Sequence, residues 1–271
     1  MTQTKIMGIL NATPDSYFSK SRCENVELAL VYAKQLEAQG ADLLDIGGES
    51  TRPGSTPVSI EEELNRVIPL IKTLKQYIRI PLSIDTSKPE VALAALEEGA
   101  SLLNDVSGFS SPNMREIAAS HHVDVCAMHA IPWQKHHIDP NVKTYYPDGV
   151  ITTLLRWFET TVKQLISSGI SEKHIILDPG IGFGKTVADN LEILYHLPQL
   201  KNFGFPLLLG ISRKSFMGKI LNLPTSELLP ATLTINALAI QAGIDYIRVH
   251  DVKEHKEAIL LLQKLNNHNL N

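Results

Sequence analysis

Cysteine is scarce in this chain of 271 residues: the only two are Cys23 and Cys126. They lie far apart and show no metal-ligand spacing, which excludes a disulfide framework and fits free thiols in a reducing cytoplasm. No apolar run is long enough to span a bilayer. Neither sign of charge dominates, with a net charge of -4 and a pI of about 6.2. A basic nucleic-acid face and a polybasic membrane patch are therefore both missing. Internal repeats, low-complexity tracts and Pro/Gly/Ser linkers are absent too, so one domain over residues 1–271 is the simplest organisation. A strand pattern begins almost at the N-terminus and leaves no room for a signal peptide, so a cytoplasmic location is expected.

What is present is a hydrophobic fraction of 44%, enough for a sizeable core. Short apolar runs alternate with amphipathic ones. The strand candidates are Lys5–Leu10, Asp42–Ile46, Pro81–Ile84, Ser101–Leu103, Val123–Met128, His174–Leu177, Pro206–Gly210 and Tyr246–Val249. Between them apolar residues fall at helical spacing. Ala29, Tyr32, Ala33 and Leu36 make one stripe, with Gly40 as a stop. Leu64, Val67, Ile68, Ile71 and Leu74 make another. Leu154, Leu155, Phe158, Val162, Leu165 and Ile166 make a third, and Ala258, Ile259, Leu262 and Leu265 the last. Strands alternating with helices predict an α/β protein with a parallel sheet closed as a (β/α)8 TIM barrel, with an open doubly wound sheet as the alternative.

The most informative stretch is Leu177 to Thr186, L-D-P-G-I-G-F-G-K-T. A buried strand ends in Asp178, whose carboxylate is costly there unless hydrogen-bonded. Three glycines then permit close approach of the main chain to a ligand. Lys185-Thr186 resembles the end of a P-loop, but that motif needs glycine where Pro179 stands, and the G-x-G-x-x-G spacing also fails. A tight strand-to-helix turn is the plainer alternative to a ligand site.

In a barrel, the C-terminal ends of the strands form the working face. The residues expected there are Asn11, Gly47 to Arg52, Asp85, Asn104-Asp105, His129, Asp178, Ser212 to Lys214, Arg248 and His250-Asp251. Polar side chains concentrated at one geometrical position on so many strands mark a site.

These residues also carry a resemblance. Leu10-Asn11-Ala12-Thr13-Pro14-Asp15-Ser16, Asp45 to Gly54, Ser83-Ile84-Asp85-Thr86 and Asn104-Asp105-Val106-Ser107-Gly108 resemble dihydropteroate synthase motifs. So do the decapeptide, Ser212-Arg213-Lys214-Ser215-Phe216 and Arg248-Val249-His250-Asp251-Val252. The resemblance runs from Ile6 to Val252. It implies a (β/α)8 barrel that joins 4-aminobenzoate to 7,8-dihydropterin-6-ylmethyl diphosphate, releasing pyrophosphate and forming 7,8-dihydropteroate for folate synthesis. It also implies a homodimer.

The resemblance places Asp85, Asn104, Met128, Asp178 and Lys214 around the pterin. A carboxylate accepts two adjacent N–H bonds, which suits Asp178. Taken without the family, Asp85 reads equally as a helix N-cap and Asn104 as a turn residue. Asn11, Thr51, Arg52, Arg248 and His250 would bind the diphosphate, the arginines as planar forks, helped by the helix that starts just after Asp251. A hard ion such as Mg2+ takes oxygen ligands, one from the Asn11 amide. Ser212, Pro53, Phe183 and an aromatic from the first loop, Tyr17 or Phe18, would receive the aminobenzoate. Asp85, Lys214 and Arg248 would carry the catalysis.

The sequence departs from the family in two places. The first loop reads Tyr17-Phe18-Ser19-Lys20-Ser21-Arg22 where the family has F-S-D-G-G, and Met128-His129-Ala130-Ile131-Pro132 replaces M-H-M-Q-G. His121-His122 and His136-His137 lack the helical spacing of a metal pair and read as solvated loops. Two alternatives stand beside the synthase. One is a pterin-binding methyltransferase domain acting on methyltetrahydrofolate, which the arginine motifs argue against. The other is a non-catalytic pterin-binding paralogue, suggested by the altered first loop.

Overall fold

The computed structural model describes residues 4–12, 22–50, 56–131 and 146–268. Among these, eight strands form one parallel sheet: β1 (Lys5–Asn11), β2 (Leu43–Gly47), β3 (Leu82–Asp85), β4 (Leu102–Asp105), β5 (Asp124–Met128), β6 (Ile175–Asp178), β7 (Leu208–Leu209) and β8 (Tyr246–Val249). Helices α1 (Arg22–Ala38), α2 (Ile60–Tyr77), α3 (Pro89–Glu97), α4 (Pro112–His121) and α5 (Val150–Ser167) follow the first five strands in turn. After β6 come α6 (Val187–Tyr195) and α7 (Leu197–Lys201). After β7 come α8 (Ser215–Leu221) and α9 (Leu229–Gln241), and α10 (Val252–His268) follows β8.

The strand order β6-β5-β4-β3-β2-β1-β8-β7 puts β1 between β2 and β8. A parallel bridge between Leu177 and Leu207 joins the two ends, and Leu177 N–H donates to the Pro206 carbonyl at 2.9 Å. The sheet is therefore a (β/α)8 barrel rather than an open doubly wound sheet.

Strand side chains alternate between two faces. Ile6, Leu10, Leu44, Ile46, Ile84, Leu103, Val125, Leu177, Leu209, Ile247 and Val249 face outward and join the buried stripes of the helices in the main core. Met7, Leu43, Leu102, Cys126, Ile176 and Leu208 form a separate inner cluster with Tyr246 packed on it. This cluster plugs the barrel interior. Two residues further along those strands, on the same inward face, stand Ile9, Asp45, Asn104, Met128, Asp178, Gly210 and Arg248. The polar residues are thus the next layer above an apolar floor.

Most expected boundaries shift by one residue for this reason. Asn11, Gly47, Asp85, Asn104, Asp105 and Asp178 end their strands instead of opening loops. The ladder runs on past them: Ala12 N–H donates to the Gly47 carbonyl at 2.7 Å, Thr86 N–H to Asn104 at 3.1 Å and His129 N–H to Asp178 at 2.9 Å. The side chains of Asn11, Asp85, Asn104 and Asp178 are held by sheet geometry and point inward, whereas Asp105 faces the other way and accepts from Ser107 and Phe109 in the following turn.

The helices follow local rules. Ser59 caps α2 by accepting Glu62 N–H at 3.1 Å, and Glu61, Glu62 and Glu63 occupy its first turn. The stripe Leu154, Phe158, Val162 and Leu165 of α5 is buried as expected, but Ile166 lies one step around the helix and is exposed. Leu265 on α10 is likewise exposed, at 55%, although its spacing put it in the core; burial along that stripe falls from Ile259, buried, through Leu262, partly buried. Among the described residues no helix is long and apolar enough to cross a membrane.

Candidate active site at the barrel mouth

The floor of the mouth is a network centred on Asp45, which has no solvent exposure. Its Oδ1 accepts the Ser83 hydroxyl at 2.5 Å. Its Oδ2 accepts Asn104 Nδ2 at 3.0 Å and Arg248 Nε at 2.5 Å. Arg248 also donates through Nη2 to Asp85 Oδ2 at 2.8 Å. Asp85, Asn104 and Arg248, expected in the site, are therefore brought together. Burial opposes the charge on Arg248, but Asp45 and Asp85 outweigh it and hold the guanidinium ionised. Burial lifts Asp85 to about 7, with Arg248 opposing. The N-cap alternative for Asp85 fails, because α3 begins at Pro89 with Lys88 as its capping residue. The turn alternative for Asn104 fails because it lies within β4.

Asp178 stands on the adjoining wall. Its Oδ1 accepts the Gly180 N–H at 2.7 Å, and burial raises its pKa against the pull of Lys214. Met128, paired in register with Asp178, ends β5 inside the mouth. Lys214 packs along Gly182, donates to the Ile181 carbonyl and holds its ammonium 4.5 Å from the centre of the Phe183 ring. Burial brings Lys214 down to about 8.

Two inward glycines leave the mouth open. A Cβ on Gly210 would lie 3.8 Å from Arg248 Cβ and 3.9 Å from Asp178 Oδ2. Asp178 and Arg248 thus flank one gap and can meet one small ligand. A Cβ on Gly47 would lie 3.7 Å from Asn11 Oδ1 and 3.8 Å from Asp85 Oδ2. Asn11, half-buried, therefore shares a second gap with Asp85.

On the β7–β8 side, Ser212 is buried and its hydroxyl is already engaged, 2.9 Å from His250 Nδ1 while accepting His250 N–H at 3.2 Å. It orders His250, and α8 starts three residues later, at Ser215. Asp251, just before α10, is held by Arg213 through two bonds of 2.9 and 2.8 Å. Thr51, Arg52, Pro53, Tyr17, Phe18 and the pair His136-His137 lie outside the described residues. His121 and His122 end α4 in solvent. Among the described residues no three His, Cys, Asp or Glu side chains are grouped to hold a metal ion.

Sequence reasoning assigned no role to Asp45, Ser83 or Lys185. The signal for Asp45 was an acid inside an apolar strand, L-L-D-I-G, where an unpaired carboxylate would be expensive. A surface cavity of about 490 Å3 against Arg115, Glu116 and Ser168 lies outside the barrel and contains none of the mouth residues.

A mouth with carboxylate and amide groups on one wall, cations beside them and glycine gaps between suits a flat hydrogen-bonding heterocycle that carries an anion. This is a pterin-binding (β/α)8 barrel enzyme, and the model of the family described as pterin binding enzyme matches residues 7–250. The chain is 42% identical over 253 residues to the dihydropteroate synthase of Bacillus subtilis, covering 93% of this chain and 85% of that protein. A solved dihydropteroate synthase from Clostridium difficile, studied in the presence of pteroic acid, superposes with a TM-score of 0.90 at 42% identity, over 97% of each chain. One from Xanthomonas albilineans with 4-aminobenzoic acid gives 0.89 at 38% identity, covering 97% of this chain and 93% of that one. The chain belongs to the dihydropteroate synthase family, and its activity is that of a transferase that forms a carbon–nitrogen bond.

Proposed function

We propose that this enzyme condenses 7,8-dihydropterin-6-ylmethyl diphosphate with 4-aminobenzoate, giving 7,8-dihydropteroate and pyrophosphate in folate biosynthesis. The observation that carries the residue-level reading is the gap at Gly210, flanked by Asp178 on one side and Arg248 on the other. Asp178, Asn104 and Asp85 receive the N–H edge of the pterin, and Lys214 donates to its carbonyl or a ring nitrogen. Met128 packs on the ring. Arg248 has its Nη1 free of partners among the described residues and turns it, with His250, Thr51 and Arg52, toward the diphosphate.

The arylamine nitrogen attacks the methylene carbon with its lone pair. The carbon–oxygen bond breaks, the diphosphate leaves with that electron pair, and the new secondary amine sheds its proton to solvent. Positive character on the carbon spreads into the pterin ring, where the Asp85 carboxylate favours it. A neutral arylamine needs no strong general base, so positioning and charge stabilisation carry the rate. Phe183 and Pro53, with Tyr17 or Phe18, wall the aminobenzoate ring. Ser212 acts on its carboxylate through the ordered His250.

Mg2+ fits the Asn11 side of the mouth. The Asn11 amide oxygen is a hard donor beside the Gly47 gap, and diphosphate oxygens and water would complete the shell, as is usual for this ion. Bound there, it would supply charge stabilisation for the departing diphosphate. A single domain over residues 1–271, working as a homodimer in the cytoplasm, completes the reading.

The test is a coupled assay for pyrophosphate release with both substrates and Mg2+. Release that depends on 4-aminobenzoate supports the synthase. Pterin binding without release favours a non-catalytic paralogue. Methyl transfer from methyltetrahydrofolate, without release, favours the methyltransferase.

A further inference from the structure

Lys185 and Thr186 close the glycine-rich stretch without making a P-loop, and the structure gives them separate tasks. Thr186 caps α6: its hydroxyl accepts Asp189 N–H at 3.1 Å, while the Asp189 carboxylate accepts Thr186 N–H at 2.9 Å. Lys185 turns into the protein and is 2% exposed. Its Nζ donates to His129 Nδ1 at 3.0 Å, to the His129 carbonyl at 3.1 Å and to the Phe183 carbonyl at 3.2 Å. An ammonium has three donors, and all three are used.

None of these acceptors is a carboxylate, and no ion pair to Lys185 forms among the described residues. Burial works against this ammonium and brings it down to about 7, with the charge of Asp178 opposing from beyond hydrogen-bond contact. A core position needing only packing would be served better by methionine or leucine. The main chain around it is fitted with equal closeness. A Cβ on Gly180 would overlap the His129 carbonyl oxygen, and one on Gly184 would lie 2.6 Å from Ile131 Cβ. The loop after β6 therefore lies directly on the exit of β5, and the ammonium spans the seam. His129 is fixed on its other side by Trp157, ring centres 5.2 Å apart at 80°.

The part of the site tied down by this seam is Phe183. Its carbonyl accepts from Lys185, while its ring lies under the Lys214 ammonium. We propose that Lys185 is a positioning residue for the aminobenzoate half of the reaction: it anchors the loop after β6 to His129 and so holds the Phe183 ring against the nucleophile. The inference rests on the synthase reading and adds a residue that works without touching substrate. The pterin wall depends on it less, because Asp178, Asn104 and Asp85 are strand residues held by the barrel ladders.

Lys185→Met keeps the unbranched stem, one atom shorter, and removes every donor. Pyrophosphate release by the full chain is followed while each substrate is varied in turn. The KM for 4-aminobenzoate should rise about tenfold, and the KM for the dihydropterin diphosphate should stay within about threefold, a difference in the range expected from lost hydrogen bonds that order one subsite. A residue needed only for folding would lower the active fraction and leave both KM values unchanged. Equal rises in both, or no rise in either, overturns the inference. If Lys185→Met does not fold, Lys185→Gln, which retains an N–H donor, is held to the same split. An active wild type without the split refutes Lys185 alone. A wild type that releases no pyrophosphate refutes the synthase reading, and this inference with it.

Discussion

Arg248 Nε lies 2.5 Å from Asp45 Oδ2, a carboxylate wholly removed from solvent. One side chain expected to meet substrate is therefore half committed to the protein. Its second bond, to Asp85, fixes the guanidinium plane across the floor of the mouth. Asp45 itself is wholly occupied by the protein, one oxygen accepting from Ser83 and the other from Asn104 and Arg248.

Removing it should be costly. Asp45→Ala orphans three donors at once, on Ser83, Asn104 and Arg248. Loss of one member of a buried pair costs about 3–5 kcal/mol, so the urea midpoint should fall sharply. Asp45→Asn should cost less, because its oxygen can serve Asn104 and Arg248 while the Ser83 hydroxyl turns to accept. Equal midpoints for both variants would contradict the role given to Asp45.

Arg248→Ala and Asp178→Asn should separate the two parts of the pterin substrate. The first should weaken the diphosphate-bearing pterin at least about tenfold more than the bare pterin, since a charged fork to phosphate is lost. The second replaces an acceptor with a donor and should weaken both ligands equally, by about 1–3 kcal/mol. Calorimetric titration with each ligand reads the difference. A uniform loss in Arg248→Ala would remove that residue from the anion end.

Asp85 should leave a mark on the pH dependence of stability. Its pKa in the fold is lifted by burial to about 7 from 3.8. Between about pH 4 and about pH 7 the folded chain keeps a proton that the unfolded chain has released, so stability falls as pH rises through that window. Asp178, raised in the same way, acts in the same direction. Asp85→Asn cannot titrate. The unfolding free energy of the wild type minus that of the variant should therefore decline between about pH 4 and about pH 7 and then level off. Urea titrations at about pH 5 and about pH 8 measure it, and a difference that grows with pH would be the wrong sign.

Two glycines with positive φ should behave differently. Gly204 has φ +98 and nothing within 4 Å of where an alanine methyl would sit, so Gly204→Ala costs only backbone strain, about 1–3 kcal/mol, and spares activity. Gly180 has φ +68, and its methyl would strike the His129 carbonyl oxygen. Gly180→Ala should cost more and depress pyrophosphate release. Equal effects on denaturation and turnover would deny that the loop after β6 is seated on β5.

Asn11, Asp85, Asn104 and Asp178 were legible as rim residues because each closes an apolar run, and Arg248 because it interrupts one near its end. That signal is local, and it places a residue at the end of a strand without saying what its side chain touches. Ser212 shows the limit: the contact of its hydroxyl with His250, 38 residues away, is not written in its neighbours. Leu265 shows another, since helical spacing identifies a face but not how far the barrel covers it.

By itself the sequence determined the alternation of strand and helix, the polar residue delivered by nearly every strand, and the family motifs, all properties of neighbouring residues. Tertiary structure alone decided that Asp45 lies beneath Arg248, 203 positions away, that Gly210 parts Asp178 from Arg248, and that Lys185 reaches His129, 56 positions back. Those relationships depend on strand register and on closure of the sheet, which bring distant positions within hydrogen-bond range only when the whole barrel has formed.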